Sequence, residues 1–385
     1  MQSTTTTGKK SDTAIELLQV INVLVREVQP HRLPKTITLD TRFEKDLGLD
    51  SLTRVELISR VEKQFKLALS EQIIAEAESA RDLLRAIQGS AMPRADLQGT
   101  DIQAVAMDDT GSDLSATPDE SLTLIDVLNW HVNTHPDRPH IRMYTDEGDG
   151  EVITYKQLKA AAVRVAGGLQ QRGLQPAEPV AIMLPSGPDY FYSFIGILLA
   201  GGIPVPIYPP ARLSQLEDHM RRHVRILANC VASTFITVPE AKGVAHLLKS
   251  QVPNLKHIVT ASDLRSSTAI STSPVLTTND TAFIQYTSGS TGNPKGVVLT
   301  HANLLANIRA MGRVVEAGPK DVFISWLPLY HDMGLIGAWL GSLYFAMLFV
   351  AMPPLSFLAR PERWLWAIHH YHGTLSASPN FGYEY

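Results

Sequence analysis

The sequence predicts a multidomain protein in which a small all-α unit precedes a larger α/β unit. Apolar residues recur at helical spacing in residues 12–88, and strand-like runs alternate with helical patterns after residue 120. Residues 89–119, between these two regions, show neither period. At 385 residues the chain exceeds one average domain, which also favours two or three folded units.

The first unit, residues 12–88, contains two amphipathic stretches separated by a long loop with prolines and a glycine. The apolar positions are Ile15, Leu18, Ile21 and Val25 in the first stretch and Leu52, Val55, Ile58, Val61 and Phe65 in the second. The stretch SARDLLRAIQ at 79–88 predicts a last short helix. Each helix is expected to bury one apolar face against the others.

Residues 89–119 are predicted to be a flexible linker, because Asp, Ser, Gly, Thr and Ala dominate the segment. A flexible chain of about 30 residues has a root-mean-square span on the order of 30 Å. The linker would therefore tether its two neighbours loosely.

The second unit, residues 120–385, alternates helix and strand patterns. Thr154 and Gln157 predict a capping box at the start of a helix, and the apolar run VAIMLP follows at 180–185. Further strands are predicted at IPVPIY, STFITV and KHIVTA, with helices through FIGILLA and LSQLEDHMRRHVRILAN. This alternation predicts parallel strands joined by crossover helices.

One uncharged segment, residues 333–359, is long enough to cross a bilayer. Three glycines are spaced along it, and Pro353 and Pro354 interrupt it. A buried helix to about Phe345, followed by a short buried strand around LFVAM, fits this pattern better than a membrane span. The membrane-embedded alternative stays open at this stage.

Composition narrows the classes of function. A hydrophobic share of 44% with 19% charged residues is ordinary globular usage, and a net charge of -4 gives no electrostatic reason to expect nucleic acid. Cys230 is the only cysteine, and no signal peptide is visible, so a cytoplasmic location is expected. No metal site is expected either, since Met220 replaces the glutamate that a zinc protease motif needs between His219 and His223.

The stretch DLGLDSLTRVEL places Ser51 at a predicted helix start. Asp and Ser are common N-caps, so an ordinary cap is one interpretation. A helix N-terminus also favours a phosphodiester, which is the other interpretation. The residues Gly48, Asp50, Ser51 and Leu52 resemble the core of an acyl or peptidyl carrier protein, a four-helix domain whose serine carries 4′-phosphopantetheine.

That resemblance implies that Ser51 is the attachment point and that a phosphopantetheinyl transferase is a partner. The charged residues of the same helix are either a docking face for a partner or a solvated surface; these residues are Arg54, Glu56, Arg60 and Glu62.

The stretch YTSGSTGNPKGVVLTH predicts a phosphate cradle, because small residues let backbone amides approach an anion and a lysine adds countercharge. A loop that only connects two strands is the alternative. The predicted phosphate ligands are Thr287, Ser288, Gly289, Ser290, Thr291, Gly292 and Lys295. The spacing is that of neither a Walker loop nor a dinucleotide fingerprint. It closely resembles the phosphate loop of the adenylate-forming superfamily.

A second match, SWLPLYHDMGLIG at 325–337, contains His331. In the superfamily this position lies between the nucleotide and the acyl pocket; a buried structural histidine is the alternative. General similarity in PIYPPARLSQLEDHMRRHVRILAN, and again after residue 360, favours the fatty acyl-AMP ligase branch over acyl-CoA synthetases. Catalytic roles are thus expected for Lys295 and His331, with Mg-ATP as cosubstrate.

The resemblance implies activation of a medium- to long-chain fatty acid as its adenylate and transfer to a carrier thiol. A downstream enzyme would then accept the acyl group for lipid, lipopeptide or polyketide assembly. The sequence ends at Tyr385, before the superfamily's Tyr-Gly-x-x-Glu motif, ribose-binding aspartate and C-terminal lid. A piece of a longer protein, incomplete for catalysis, is therefore expected. A non-catalytic carrier and docking module is the alternative from another class.

Overall fold

The structure, a computed structural model, describes residues 5–28, 36–43, 46–49, 51–67, 69, 77–89, 117–145, 150–209, 216–267, 273–287 and 294–383. Its first part is helical, with α1 at Thr5–Val28, α2 at Ser51–Phe65 and α3 at Ala80–Gly89. Helix α1 packs against both α2 and α3. The loop before α2 is tied to the start of α3, because Phe43 N–H donates to the carbonyl of Glu78 at 2.8 Å.

The predicted apolar face of α1 is partly wrong. Ile21 and Val25 are buried as expected, but Ile15 is 53% exposed. The buried stripe instead includes Leu17 and Leu24. Apolar residues occupy more than one side of α1, so two stripes fit the helical period, and only packing against α2 and α3 selects between them.

The predicted second and third helices of this unit are present in the structure. Ile58 and Val61 of α2 are buried as their spacing predicts. Three helices lie in the described part of this unit, and no fourth helix occurs there. Residues 70–76, and residues 90–116 of the predicted linker, lie outside the described part of the chain.

The second part of the chain is an α/β unit. Its strands are β1 (Pro139–Met143), β2 (Val152–Thr154), β3 (Pro179–Met183), β4 (Ile203–Pro206), β5 (Thr234–Thr237), β6 (His257–Val259), β7 (Thr281–Thr287), β8 (Lys295–Thr300), β9 (Val322–Ser325), β10 (Leu348–Ala351) and β11 (Leu375–Ser376). Its α-helices are α4 (Leu124–Thr134), α5 (Tyr155–Gln171), α6 (Pro188–Leu199), α7 (Leu216–Asn229), α8 (Pro239–Leu248), α9 (Ala261–Arg265), α10 (His301–Val314), α11 (Gly341–Tyr344), α12 (Pro354–Ala359) and α13 (Glu362–His370). A π-helix spans Met333–Leu340, and 3₁₀ turns span Lys249–Gln251 and Asn380–Tyr383.

The strands form two sheets and a hairpin. One sheet is fully parallel in the order β4-β3-β5-β6. The other has the order β11-β9-β10-β1-β2, and only β2 is antiparallel to its neighbour. Strands β7 and β8 pair antiparallel as the hairpin. Parallel strands with crossover helices are therefore confirmed, as is the capping box of α5, in which Gln157 N–H donates to Thr154 Oγ1 at 3.3 Å.

The uncharged segment that follows His331 is built as the sequence predicts. The π-helix and α11 form a continuous helical stretch that ends at Tyr344, and β10 follows as a fully buried strand. No helix in the described part of the chain is long and apolar enough to cross a membrane. Buried tryptophan, leucine and tyrosine side chains anchor the stretch in the core between the two sheets, among them Trp339, Leu343 and Tyr344.

Two buried histidines, His131 and His140, and the half-buried His135 meet at α4 and α5. His131 Nδ1 lies 2.7 Å from His135 Nε2, and the rings of His131 and His140 stack on Tyr155 with centroid distances of 4.4 and 4.7 Å. Burial, with neighbouring His135 and His140, lowers the pKa of His131 to about 3. Burial lowers the pKa of His140 to about 3 and that of His135 to about 4. All three are therefore neutral at pH 7.

This cluster makes the fold sensitive to acid. Because the folded-state pKa values lie below the ordinary value near 6.5, the unfolded chain binds more protons once the pH falls below about 6.5. At pH 5 each fully buried histidine should lower the free energy of unfolding by about 2 kcal/mol relative to pH 7.5. Urea unfolding at the two pH values measures this loss. The variant His140→Phe should reduce it, whereas His246→Gln, at an exposed position, should not; equal losses in both variants would contradict the assignment.

Candidate functional site

The predicted phosphate loop joins the two strands of the β7–β8 hairpin. Thr287 ends β7, Lys295 begins β8, and the two residues are direct partners in the antiparallel register. Both side chains are exposed, and Lys295 forms no ion pair with any described residue. The other five predicted ligands, Ser288, Gly289, Ser290, Thr291 and Gly292, lie outside the described residues. The hairpin thus presents an uncompensated cation at the base of this loop.

Hydrogen bonds from two elements hold the loop that carries His331. Gln285 Nε2, on β7, donates to the carbonyl of Tyr330 at 2.7 Å. Tyr190 Oη, on α6, donates to the carbonyl of Leu329 at 2.7 Å. Burial raises the pKa of Tyr190 far above its ordinary value, so this phenol remains a donor. Since Gln285 and Thr287 share one face of β7, the contact places the hairpin beside the His331 loop.

Local contacts define the conformation of His331 itself. The half-buried residue precedes the π-helix, whose first amide, Met333 N–H, donates to Asp332 Oδ1 at 2.8 Å. The rings of Tyr330 and His331 lie 5.2 Å apart, and Tyr208 lies 6.1 Å beyond Tyr330. A π-helix is a rare element that is common at functional sites. Here it begins two residues after the predicted catalytic histidine.

The sequence analysis did not identify Gln285, Tyr190 or Tyr208. A usable signal existed for two of them, because a glutamine inside the apolar strand AFIQYT and a tyrosine inside an apolar helix each require a buried hydrogen-bond partner. Their partners are backbone carbonyls of the His331 loop, which no residue pattern encodes. These three residues support the site and were found only through the structure.

Gly334 is required by the tight approach of the π-helix to the preceding loop. A Cβ atom at this position would lie 2.3 Å from the carbonyl oxygen of Pro328. Gly334→Ala should therefore displace the His331 loop and lower the unfolding free energy by about 1–3 kcal/mol. Gly337→Ala is the matched control, since a Cβ there meets nothing within 4 Å. Urea unfolding of both variants tests the prediction, and equal stability would contradict it.

The predicted attachment serine lies at a helix start. Helix α2 begins at Ser51, and Gly48 in the preceding loop has φ of 65°, a left-handed conformation that favours glycine. The N-terminal turn of α2 therefore offers the positive dipole end that suits a phosphodiester. The side chain of Ser51, and all of Asp50, lie outside the described features.

The charged face of α2 is largely engaged within the helical unit. Arg60 pairs with Glu56 and, at 2.7 Å, with Glu27. Glu62 Oε1 accepts from Leu69 N–H at 2.6 Å, and Arg54 Nη2 donates to the carbonyl of Ala77 at 2.9 Å. These contacts give all four side chains structural partners, so their charge alone does not indicate a docking face.

The residues that flank the phosphate loop carry groups of the kind that bind a triphosphate. They are the ammonium group of Lys295 and the hydroxyl of Thr287, at the two strand ends that the loop joins. The described residues contain no cluster of histidine, cysteine or carboxylate side chains that could hold a metal ion. Magnesium would reach the site with ATP, as part of the Mg-ATP substrate.

Two family profiles match the chain. Residues 128–382 match the AMP-binding enzyme family, and residues 27–87 match the phosphopantetheine attachment site family. Among similar proteins, the long-chain-fatty-acid–AMP ligase FadD32 of Mycolicibacterium smegmatis is 36% identical over 282 residues, which cover 70% of this chain and 43% of that protein. The medium-chain-fatty-acid–[acyl-carrier-protein] ligase TtuA of Teredinibacter turnerae is 31% identical over 307 residues, which cover 70% and 48%.

Solved structures agree with these matches. The crystal structure of a fatty acid AMP ligase from Legionella pneumophila superposes with a TM-score of 0.60 at 32% identity, over 70% of this chain and 46% of that one. A fatty acyl-adenylate ligase from L. pneumophila in complex with acyl adenylate and pyrophosphate has a TM-score of 0.59 at 33% identity, with the same coverage. The chain spans less than half the length of these relatives. Because the first profile covers most of the chain, the protein belongs to the AMP-binding enzyme family and combines an adenylate-forming domain with a phosphopantetheine attachment region.

Proposed function

We propose that the protein activates a medium- to long-chain fatty acid as an acyl-adenylate and transfers the acyl group to a carrier thiol borne on Ser51. The observation that carries this proposal is the presence of both matched regions, residues 27–87 and 128–382, in one chain. Relatives named as fatty-acid–AMP and acyl-carrier-protein ligases support the choice of substrate and acceptor. The proposed boundaries are a carrier domain at 12–88, a linker at 89–119 and the adenylate-forming part at 120–385.

In the first step the fatty acid carboxylate attacks the α-phosphorus of Mg-ATP, and the bond to the β-phosphate oxygen breaks. Pyrophosphate leaves with the charge of that oxygen. Lys295, Thr287 and the intervening loop stabilise this charge by preorganised electrostatics, which costs no reorganisation during the reaction. His331 orients the carboxylate between nucleotide and acyl pocket, held there by the hydrogen bonds from Gln285 and Tyr190 to its loop.

4′-Phosphopantetheine, once a transferase has attached it, would supply the thiol that takes the acyl group from the adenylate as a thioester, with AMP as the leaving group. The N-terminal turn of α2 binds its phosphodiester, because the helix dipole favours an anion there. The proposed linker keeps carrier and site at an effective concentration in the millimolar range, provided that it spans the distance. A cytoplasmic acceptor enzyme then removes the acyl group.

The acceptor distinguishes this proposal from an acyl-CoA synthetase. The protein, with and without the pantetheine arm, is incubated with Mg-ATP and octanoic or hexadecanoic acid, in the presence or absence of free coenzyme A. Mass spectrometry of the small molecules should detect acyl-adenylate in each case and no acyl-coenzyme A. Rapid acyl-coenzyme A formation would refute the choice of acceptor, and Mg-ATP binding without any acyl-adenylate would instead support a non-catalytic carrier module.

A further inference from the structure

A cleft whose lining includes neither Lys295 nor His331 lies at the carboxyl edge of the four-stranded parallel sheet. Its volume is about 680 Å³, which falls within the usual range for small-molecule sites. Leu184, which follows β3, and Val238, which follows β5, line the cleft together with parts of α5, α6 and α9. The proposed adenylation chemistry uses none of these residues.

The topology of the sheet places this cleft at a switch point. From β3 the chain crosses through α6 to β4 on one side, whereas β5 lies on the other side of β3. Helix α6 packs in the core on one face of the sheet, and α7 and α8 pack on the opposite face. In open parallel sheets, the crevice between the carboxyl ends of such diverging strands is where ligands bind.

The charged groups of the cleft are of both signs. Asp189 and Arg265 neutralise each other through an ion pair of 2.9 Å, and the Arg265 guanidinium lies 5.6 Å from the ring centroid of Tyr192. Two charges remain without an ionic partner among the described residues. Within the described ranges, the exposed Arg164 forms no ion pair, and the carboxylate of the exposed Glu151 accepts a hydrogen bond of 3.4 Å from Tyr192 Oη.

The rest of the lining is mainly apolar. The aliphatic groups of the lining are Val152, Ala160, Ala161, Leu184 and Val238. Burial against these aliphatic groups favours a ligand with an apolar part. Arg164 and Glu151 each favour a ligand group of opposite charge. We infer that this cleft binds an apolar zwitterion, either an amino acid with an aliphatic side chain or a short aliphatic peptide, whose carboxylate meets Arg164 and whose ammonium meets Glu151.

Methyl NMR of the full-length chain tests the inference at the site itself. The methyl groups of Val152, Leu184 and Val238 report binding in the cleft and not at the adenylation site. Leucine and leucyl-leucine are the two zwitterions; 4-methylpentanoate lacks the ammonium group, and 3-methylbutylamine lacks the carboxylate. We expect saturable shifts of these methyl signals with at least one zwitterion. The zwitterion with the lower dissociation constant shows whether the ligand is a free amino acid or a peptide.

Loss of either charge, in ligand or protein, should raise the dissociation constant about tenfold, the usual effect of one charge-assisted hydrogen bond. Arg164→Gln and Glu151→Gln are the charge variants, and Arg225→Gln, exposed on α7, is the control. Ala160→Phe should occlude the cleft from an exposed helix position, whereas Ala160→Ser should not. The inference is overturned if no cleft methyl shifts at millimolar zwitterion, or if the singly charged compounds bind as tightly as the zwitterions.

Discussion

Replacement of Lys295 by alanine is expected to slow acyl-adenylate formation by about 10²–10³-fold. The lysine begins β8 directly opposite Thr287, at the base of the loop that resembles a phosphate cradle. Its ammonium group has no ionic partner among the described residues, so its charge is available to the leaving pyrophosphate. The effect should appear mainly in the rate, since charge develops on the leaving oxygen during the reaction.

Lys320→Ala is the matched control, because Lys320 is also exposed but lies in the turn before β9. Acyl-adenylate formation is followed by release of labelled pyrophosphate. Equilibrium dialysis with Mg-ATP gives a second reading that does not depend on turnover, and here too only Lys295→Ala should weaken binding. If Lys295→Ala released pyrophosphate as fast as Lys320→Ala and bound Mg-ATP as tightly, Lys295 would not belong to the site.

Replacement of Ser51 by alanine is expected to abolish attachment of phosphopantetheine completely. The hydroxyl oxygen is the nucleophile of this attachment, and alanine offers no other. The helix should persist, because alanine is the best helix former and the loss of an N-cap costs only about 1 kcal/mol. The defect should therefore be chemical and not a consequence of unfolding.

A phosphopantetheinyl transferase with a fluorescent coenzyme A conjugate provides the measurement, read as in-gel fluorescence. Ser59→Ala is the control, since Ser59 lies on the same helix. Full labelling of Ser59→Ala with none of Ser51→Ala is the expected pattern. Labelling that persists in Ser51→Ala would place the attachment site elsewhere.

Much of the architecture follows from local sequence periods. The capping box at Thr154 and Gln157, the parallel strand runs and the buried helical stretch up to Tyr344 all depend on neighbouring residues, and all are present. The uncharged segment is one such case, because its helical stretch ends at Tyr344 and is therefore shorter than a bilayer-spanning helix. The matches to the AMP-binding enzyme family and to the phosphopantetheine attachment site family were likewise expected from short motifs.

Long-range contacts were not predictable in the same way. His331 was predicted from the sequence, but Gln285 and Tyr190 were not. Their hydrogen bonds hold the His331 loop across 45 and 139 residues of sequence. The buried face of α1 was chosen incorrectly because Ile15 and Leu17 both fit a helical stripe. The elements that pack against a helix, and not its periodicity, decide which face is buried. The roles of Lys295 and His331 are predictions for experiment.

Intact-protein mass of the chain tests the central claim most directly, namely that one protein carries both the carrier serine and the activity that loads it. The chain is coexpressed with a phosphopantetheinyl transferase and then incubated with Mg-ATP and mixed fatty acids. We expect two successive increases in mass, the first from the pantetheine arm and the second from an acyl group whose addition requires ATP and Lys295. A chain that keeps its unmodified mass after coexpression would contradict the carrier assignment, and an arm that never gains an acyl group would mean that residues 120–385 do not adenylate without the C-terminal motifs that the superfamily resemblance implies.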